Sequence, residues 1–340
     1  MLAQISVGRV VVDIVVLTLL AFPLLVFQLW VKPYKRGFYC DDESLRYPYR
    51  DSTVSRYMLV VVGLLVPASL IVFAEMFRAF LWEKQCQNYF HSYRVRRYPV
   101  HRFLVRLYIF LGYFLLGVIF NQLLVDIAKY TIGRHRPHFI DICRPMKDGV
   151  DFATSCPADH RYITDFNCTG NRKGLITESM LSFYSGHTAF SFFGAWFTAL
   201  YLQARLYRPL YSRLILPIIQ FCLFGGAAYV GFTRVSDYKH HWSDVLVGAL
   251  LGSAIGIIMA LFVAEVFKRR EIPKCEEGLC KPTMGCMVPA PKSGGDVESG
   301  MHQSDAVMRP LTTHTVTVTH ELSPSSNECE GLSHSGQQRL

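Results

Sequence analysis

Three short stretches of this sequence carry side chains suited to work on a phosphate ester. In TRVSDYKHHWSD, Thr233 to Asp244, Arg234 is followed by His240 and then Asp244. Five residues separate Arg234 from His240 and three separate His240 from Asp244. If that part is helical, the His and the Asp lie one turn apart on one face. A carboxylate behind an imidazole fixes the tautomer and stabilises the imidazolium, which leaves the other ring nitrogen to attack or to move protons. Upstream, KYTIGRHRP holds Lys129 and Arg136, with Pro137 next. Arg offers a planar fork matched to phosphate oxygens and Lys a point charge, so the pair suits a dianion. Between the two lies FYSGH, with Ser185 and Gly186 ahead of His187 at the start of an apolar run. Backbone N–H groups at a helix N-terminus attract anions, and Ser is a good cap there.

Together these residues define a chemistry. A phosphate monoester carries about −1.5 to −2 charge near neutral pH, and that charge repels an incoming nucleophile. Lys129, Arg136 and Arg234 would neutralise it, with Ser185 and the Gly186 N–H completing the cradle. His240, held by Asp244, would attack phosphorus in line. His187 would protonate the departing alkoxide and then activate the water that releases phosphate.

Pieces so far apart need a scaffold to bring them together. The chain has 340 residues, of which 51% are hydrophobic, and its mean hydropathy is +0.23. That argues for a membrane protein, because apolar runs of about twenty residues cross ~30 Å of hydrocarbon. Six such runs are expected, from Val7 to Trp30, Met58 to Leu81, Leu104 to Ala128, Thr188 to Leu206, Leu214 to Gly231 and Val245 to Phe267. The first is too long for a signal peptide and holds Asp13, so it is kept as a span. Trp30, Trp82 and Trp242 fall at span ends, where amphipathic rings favour the interface. Six crossings place both termini on one side and all three clusters on the other. Asp13, Glu75 and Asp126 are intramembrane charges. Arg78 and Lys129 stand three residues after the last two, so helix-face pairing competes with function there.

Lys84, Arg94, Arg96, Arg97, Arg102, Arg106, Arg205, Arg208, Arg213, Lys268, Arg269 and Arg270 form a basic face, which the positive-inside rule puts in the cytoplasm. The sequon Asn167-Cys168-Thr169 lies in the opposite connection and makes Asn167 a glycosylation candidate, so the site faces outward or into a lumen. Cys40, Cys143, Cys156 and Cys168 fall on that same face, where an oxidising compartment permits three pairings. Cys222 is expected in the core.

K-x6-RP, then SGH, then R-x5-H-x3-D resembles the three-part signature of the type 2 phosphatidic acid phosphatase superfamily. The longer runs YKRGFYC, RYPYRDST, SFYSGHTAFS, LYLQAR and RVSDYKHHWSDVLVG are similar to its animal lipid phosphate phosphatase branch, over roughly residues 5 to 270. The resemblance implies an all-α integral membrane enzyme at the plasma membrane. It would hydrolyse phosphatidate, lysophosphatidate, sphingosine 1-phosphate or ceramide 1-phosphate through a phosphohistidine on His240. Tyr184 stands where the wider superfamily often has Pro, and Thr233 where it often has Ser. The stretch 146–173 does not align with the family. No cofactor and no metal are expected, since His135, His138 and His160 lack Cys or carboxylates at ligand spacing. His241 is read as out of phase with Asp244.

The remaining residues set limits. From Glu271 the chain turns to Pro, Ser, Thr and Gly, which reads as a disordered cytoplasmic tail, 271–340, after a membrane domain, 1–270. Its five Lys and Arg stand against nine Asp and Glu, so of the total net charge of +9 the tail carries −4 and the membrane body +13. That charge meets anionic headgroups, and no nucleic-acid partner is expected. Cys275, Cys280 and Cys286 suit palmitoylation beside a basic stretch. Association of copies of the chain is left open. Two other classes stand beside the phosphatase: a phosphotransferase with a lipid acceptor, and a catalytically silent adhesion relative. The second should lack one or more of His187, Arg234 and His240, all of which are present.

Overall fold

The computed structural model describes residues 2–82, 92–95, 97–156, 160–206 and 212–268. The tail, with Cys275, Cys280 and Cys286, lies outside the described residues, as do Lys84, Arg96, Arg208, Arg269 and Arg270.

Every expected apolar run folds as a helix. In chain order these are α1 (Val7–Leu29), α2 (Arg56–Phe77), α3 (Arg102–Ile132), then two short helices, α4 (Phe139–Cys143) and α5 (Lys173–Ser179), and α6 (Gly186–Leu206), α7 (Ile215–Ser236) and α8 (Trp242–Ile258). Helices α1, α2, α3, α7 and α8 are long and apolar enough to cross a membrane, and the chain is a mostly helical integral membrane protein. Helix α6, of 21 residues, is less apolar and is not among those five. It is enclosed by neighbouring helices, with Phe193, Phe197, Tyr201 and Leu202 all buried against them. A helix that faces protein needs fewer apolar groups than one that faces lipid.

Two devices fix how α6 sits. Gly248, Gly252 and Gly256 recur every fourth residue along α8, on one face. A Cβ at Gly248 would stand 2.7 Å from the Ser185 carbonyl oxygen, one at Gly256 2.9 Å from that of Phe193, and one at Gly252 would overlap that of Ala189. Backbone therefore meets backbone over three turns, as small residues permit in membranes. On the other side, rings interlock: Phe114 stacks on Phe193 with centroids 5.6 Å apart, and Phe110 meets Tyr201 edge-on at 5.0 Å.

A buried ionic cluster ties α2, α3 and α6 further along the bundle. The Glu75 carboxylate accepts from Arg205 Nε at 2.7 Å, Arg205 Nη2 at 2.9 Å and Tyr201 Oη at 2.8 Å. Arg106 stands 3.7 Å away. Helix-face pairing with Arg78 and function compete for Glu75 in the sequence, and its ionic partners include two arginines from other helices. Asp126 takes a hydrogen bond from Gln122 Nε2 at 2.9 Å, and Tyr108 donates its hydroxyl to Asp13. Cys222 departs from the core placement expected of it, being exposed on α7. Trp30 and Trp242 are exposed at helix ends.

The all-α expectation is modified by short strands in the connections. They are β1 (Leu2–Ile5), β2 (Phe38–Tyr39), β3 (Ser92–Val95), β4 (Tyr98–Val100), β5 (Pro145–Lys147), β6 (Val150–Asp151), β7 (Tyr162–Ile163) and β8 (Asn167–Cys168). Strand β2 pairs antiparallel with β7, joining the first connection to the long one between α3 and α6. The disulfide Cys40–Cys156 joins the same two, and Cys143–Cys168 closes the long connection on itself. Phe38, Phe139, Phe152 and Phe166 fill a small core between them. Helix α3 stops at Gly133, whose φ of 58° is left-handed, and a side chain there would strike the Tyr34 carbonyl. That stop turns the chain just after Lys129 and sends Arg134 and Arg136 back over the bundle end.

Candidate active site

The end of α3, the start of α6, the end of α7 and the start of α8 meet at one place, and the three sequence clusters meet with them. Ser185 N donates to the Asp244 carbonyl at 3.1 Å, which stitches the second cluster to the third. Lys129 Nζ lies 3.5 Å from where a Gly186 Cβ would stand, bringing in the first. His187 is within electrostatic reach of Arg234, His240, Lys129 and Arg136. All eight candidate residues, Lys129, Arg136, Ser185, Gly186, His187, Arg234, His240 and Asp244, are therefore brought together at one end of the bundle.

His240 precedes α8 rather than lying on it. Its backbone N–H donates to the Arg234 carbonyl at 3.1 Å, which ties the turn to the end of α7. The ring is buried, and that burial, reinforced by the charges of Arg136 and Lys129, pushes its pKa down to about 3. At neutral pH it is an unprotonated imidazole.

Asp244 is fully buried and crowded with donors. Arg134 Nη1 lies 2.6 Å from its Oδ1, while Ser182 Oγ at 2.6 Å and His241 N at 3.2 Å donate to its Oδ2. His240 Nδ1 stands 3.8 Å from Oδ2 and 3.4 Å from Ser182 Oγ. The expectation for His241 needs correction: it caps α8, and its ring nitrogen is 3.3 Å from Asp244, because a residue just before a helix faces the third residue inside it.

The cations are held as firmly. Arg234 Nη2 donates to Asp237 Oδ2 at 3.1 Å and to Thr233 Oγ1 at 3.1 Å. Asp237 in turn accepts from Thr53 N and Thr53 Oγ1, both at 2.8 Å. Arg136 Nη1 pairs with Glu178 at 3.1 Å, and the carboxyl of Glu178, though desolvated, stays below its ordinary range because Arg136 and Arg56 face it. The buried Arg136 Nε, Arg234 Nε and His187 Nε2 find no partner among the described residues. Ser185 Oγ caps α6, accepting from Thr188 N at 3.4 Å, and also accepts from Thr188 Oγ1 at 2.9 Å.

Beside this site, Lys239 Nζ rests 3.6 Å from the centre of the Tyr49 ring, and Tyr49 meets His138 edge-on. His138 Nδ1 contacts the Tyr238 carbonyl at 2.7 Å, and His135 Nε2 the Arg36 carbonyl at 2.8 Å. Burial takes both rings down to about 4, so they serve as neutral packing groups. His160 pairs with Asp41. Asn167 is exposed on β8. Among the described residues no three His, Cys, Asp or Glu side chains group as metal ligands.

Arg134, Glu178, Ser182, Asp237 and Thr53 were not foreseen. Arg134 stands in the motif beside Arg136, but alternation along an extended stretch could not say which Arg faces which partner. Ser182, three residues before Ser185, carried no periodic signal.

Buried imidazoles, a shared carboxylate and converging cations at one end of a helical membrane bundle define a membrane-embedded phosphatase. The comparisons give the family. The profile of the PAP2 superfamily matches residues 110–268. A Drosophila melanogaster protein named "Putative phosphatidate phosphatase" is 41% identical over 267 residues, covering 77% of this chain and 70% of that one. Phospholipid phosphatase 1 of Rattus norvegicus is 38% identical over 78% of this chain and 88% of its own length. For phospholipid phosphatase 2 of Homo sapiens the figures are 38%, 81% and 90%. The chain belongs to the PAP2 superfamily. No solved structure matches it.

Proposed function

We propose that this protein is a lipid phosphate phosphatase that cleaves the phosphate monoester of phosphatidate, lysophosphatidate, sphingosine 1-phosphate or ceramide 1-phosphate through a phosphohistidine on His240, with no need for Mg²⁺. The observation that carries the reading is the convergence of His240, His187, Lys129, Arg136 and Arg234, with buried guanidinium and imidazole nitrogens left over for an anion. A phosphoryl group satisfies such donors, and buried polar groups rarely go without partners. Lys129, Arg136, Arg234, Ser185 and the Gly186 N–H bind the phosphoryl oxygens. His240 attacks, Asp244 stabilises the imidazolium, and His187 gives a proton to the leaving alkoxide and takes one from water.

The site lies at helix ends, which suits a substrate whose acyl chains stay in the bilayer. All six long helices cross in this reading, with the site and Asn167 outside and the termini in the cytoplasm. The disulfides and the sequon on the site side support that orientation. The test is release of free phosphate from each lipid in detergent micelles containing excess EDTA. Free phosphate supports the hydrolase, phosphate recovered on a second lipid supports the phosphotransferase, and loss of all activity in EDTA removes the metal-free mechanism.

Two further outcomes follow from the site. Asp237→Ala removes the carboxylate that holds Arg234 and breaks its tie to Thr53. A hydrogen bond to a charged group contributes about 1.5–3 kcal/mol, so KM for the lipid phosphate rises roughly 10- to 100-fold, read by steady-state kinetics. Lys239 gives a pH dependence. Burial, and then Arg136, lowers its pKa from 10.5 to about 8, so its charge is present below that value and is lost as pH rises through it. The charge that Lys239 adds beside Arg136 and Arg234 is therefore lost above about pH 8, whereas the guanidinium of Lys239→Arg stays charged. The KM-against-pH curve of this variant is expected to rise less above pH 8 than that of wild type, and coincident curves would remove Lys239 from substrate binding. His240 does not set the acid limb, since its proton binds only near pH 3.

A further inference from the structure

Asp244 is too fully engaged to orient His240 alone. Its Oδ1 faces Arg134 at 2.6 Å, and its Oδ2 accepts from Ser182 Oγ at 2.6 Å and from His241 N at 3.2 Å. His240 Nδ1 is 3.8 Å from the carboxylate, beyond hydrogen-bond range, and 3.4 Å from Ser182 Oγ. The hydroxyl stands beside both and is nearer to the ring nitrogen than the carboxylate is. A Ser hydroxyl has one proton to donate and lone pairs to accept with. Given to Asp244, that proton leaves the oxygen free to receive Nδ1–H from the imidazole.

We propose that Ser182 is the positioning residue of the nucleophile: its hydroxyl links His240 Nδ1–H to the Asp244 carboxylate and so sets both tautomer and ring direction. The inference rests on His240 being the nucleophile. With the proton held on Nδ1, the lone pair lies on Nε2, on the far edge of the ring and facing away from Ser182. When Nε2 forms its bond to phosphorus, the bond to the lipid alkoxide breaks, and His187 supplies that alkoxide's proton. Nδ1–H stays in place throughout. The positive charge that develops on the ring is met by Asp244 through the Ser182 hydroxyl, while Arg134 at 2.6 Å holds the carboxylate in place. Ser182 is fully buried and its backbone N–H is separately tied to the Arg134 carbonyl at 2.9 Å, so loss of the hydroxyl leaves the chain path intact.

The experiment compares wild type, Ser182→Ala, Asp244→Asn, the double variant and His240→Ala on lysophosphatidate in micelles. Ser182→Ala is expected to lower kcat about 10- to 100-fold, the effect of one hydrogen bond to a charged network, with KM within about twofold. Because Ser182 acts through Asp244, the double variant should be no slower than Asp244→Asn. Acid-labile phosphoprotein from labelled substrate, present in wild type and absent in His240→Ala, tests the underlying reading separately. If that control holds and Ser182→Ala matches wild type in kcat, Ser182 has no positioning role. Independent, multiplying effects in the double variant, or a change confined to KM, would equally overturn it.

Discussion

Replacing His240 with alanine is expected to cut phosphate release by roughly 10⁴- to 10⁶-fold, as removal of a nucleophile that acts in concert with its partners does. Every neighbouring group is arranged around this imidazole. The backbone N–H is fixed to the end of α7, Nδ1 faces Ser182, and the charges of Lys129 and Arg136 bear on the ring. Burial keeps it unprotonated at pH 7, so the whole population is competent to attack. Substrate binding should survive, because Lys129 and Arg136 belong to another segment and Arg234 meets His240 only through its main-chain carbonyl, leaving its side chain on Asp237. The measurement is phosphate release from purified wild type and variant at matched folding, checked by thermal melting in detergent. Equal rates would remove His240 from the chemistry.

The second large effect concerns stability rather than turnover. Glu75→Ala leaves Arg205 and Arg106 facing each other in the bundle without the carboxylate that now meets both. Breaking one side of a buried ion cluster costs about 3–5 kcal/mol. Glu75 lies 19 residues beyond Arg56 on a continuous helical path, about 28 Å at 1.5 Å per residue. The thermal midpoint should therefore fall steeply while kcat per folded molecule stays close to wild type. Equal loss of kcat in the folded fraction would mean that cluster and site are coupled through α2 or α6.

The helices were legible because membrane-length apolar runs are a strong signal, and the phosphate cluster because its residue types and spacing are specific. What the sequence hid was partnership. Glu75 has Arg78 nearby in sequence, yet Arg205 and Arg106 reach it from α6 and α3, and no helical period reveals a contact across the bundle. The same holds for Asp237 and Thr53, which are 184 positions apart. His241 stands three residues before Asp244, a spacing that brings side chains together on a helix, and as the residue capping α8 it meets that carboxylate. Cys222 was misread because an apolar membrane helix has two apolar surroundings, lipid and protein, and composition alone does not tell them apart. The four outer cysteines left three pairings open, and only folding of the long connection chose Cys40–Cys156 and Cys143–Cys168.

The glycines of α8 have a consequence for how a lipid reaches the site. Main chain touches main chain along Gly248, Gly252 and Gly256, leaving no width there for a hydrocarbon tail. That seam is a closed door. A substrate gliding in the leaflet must present its headgroup through some other gap between helices, because the Ser185–Asp244 hydrogen bond spans the end of this same α6–α8 contact.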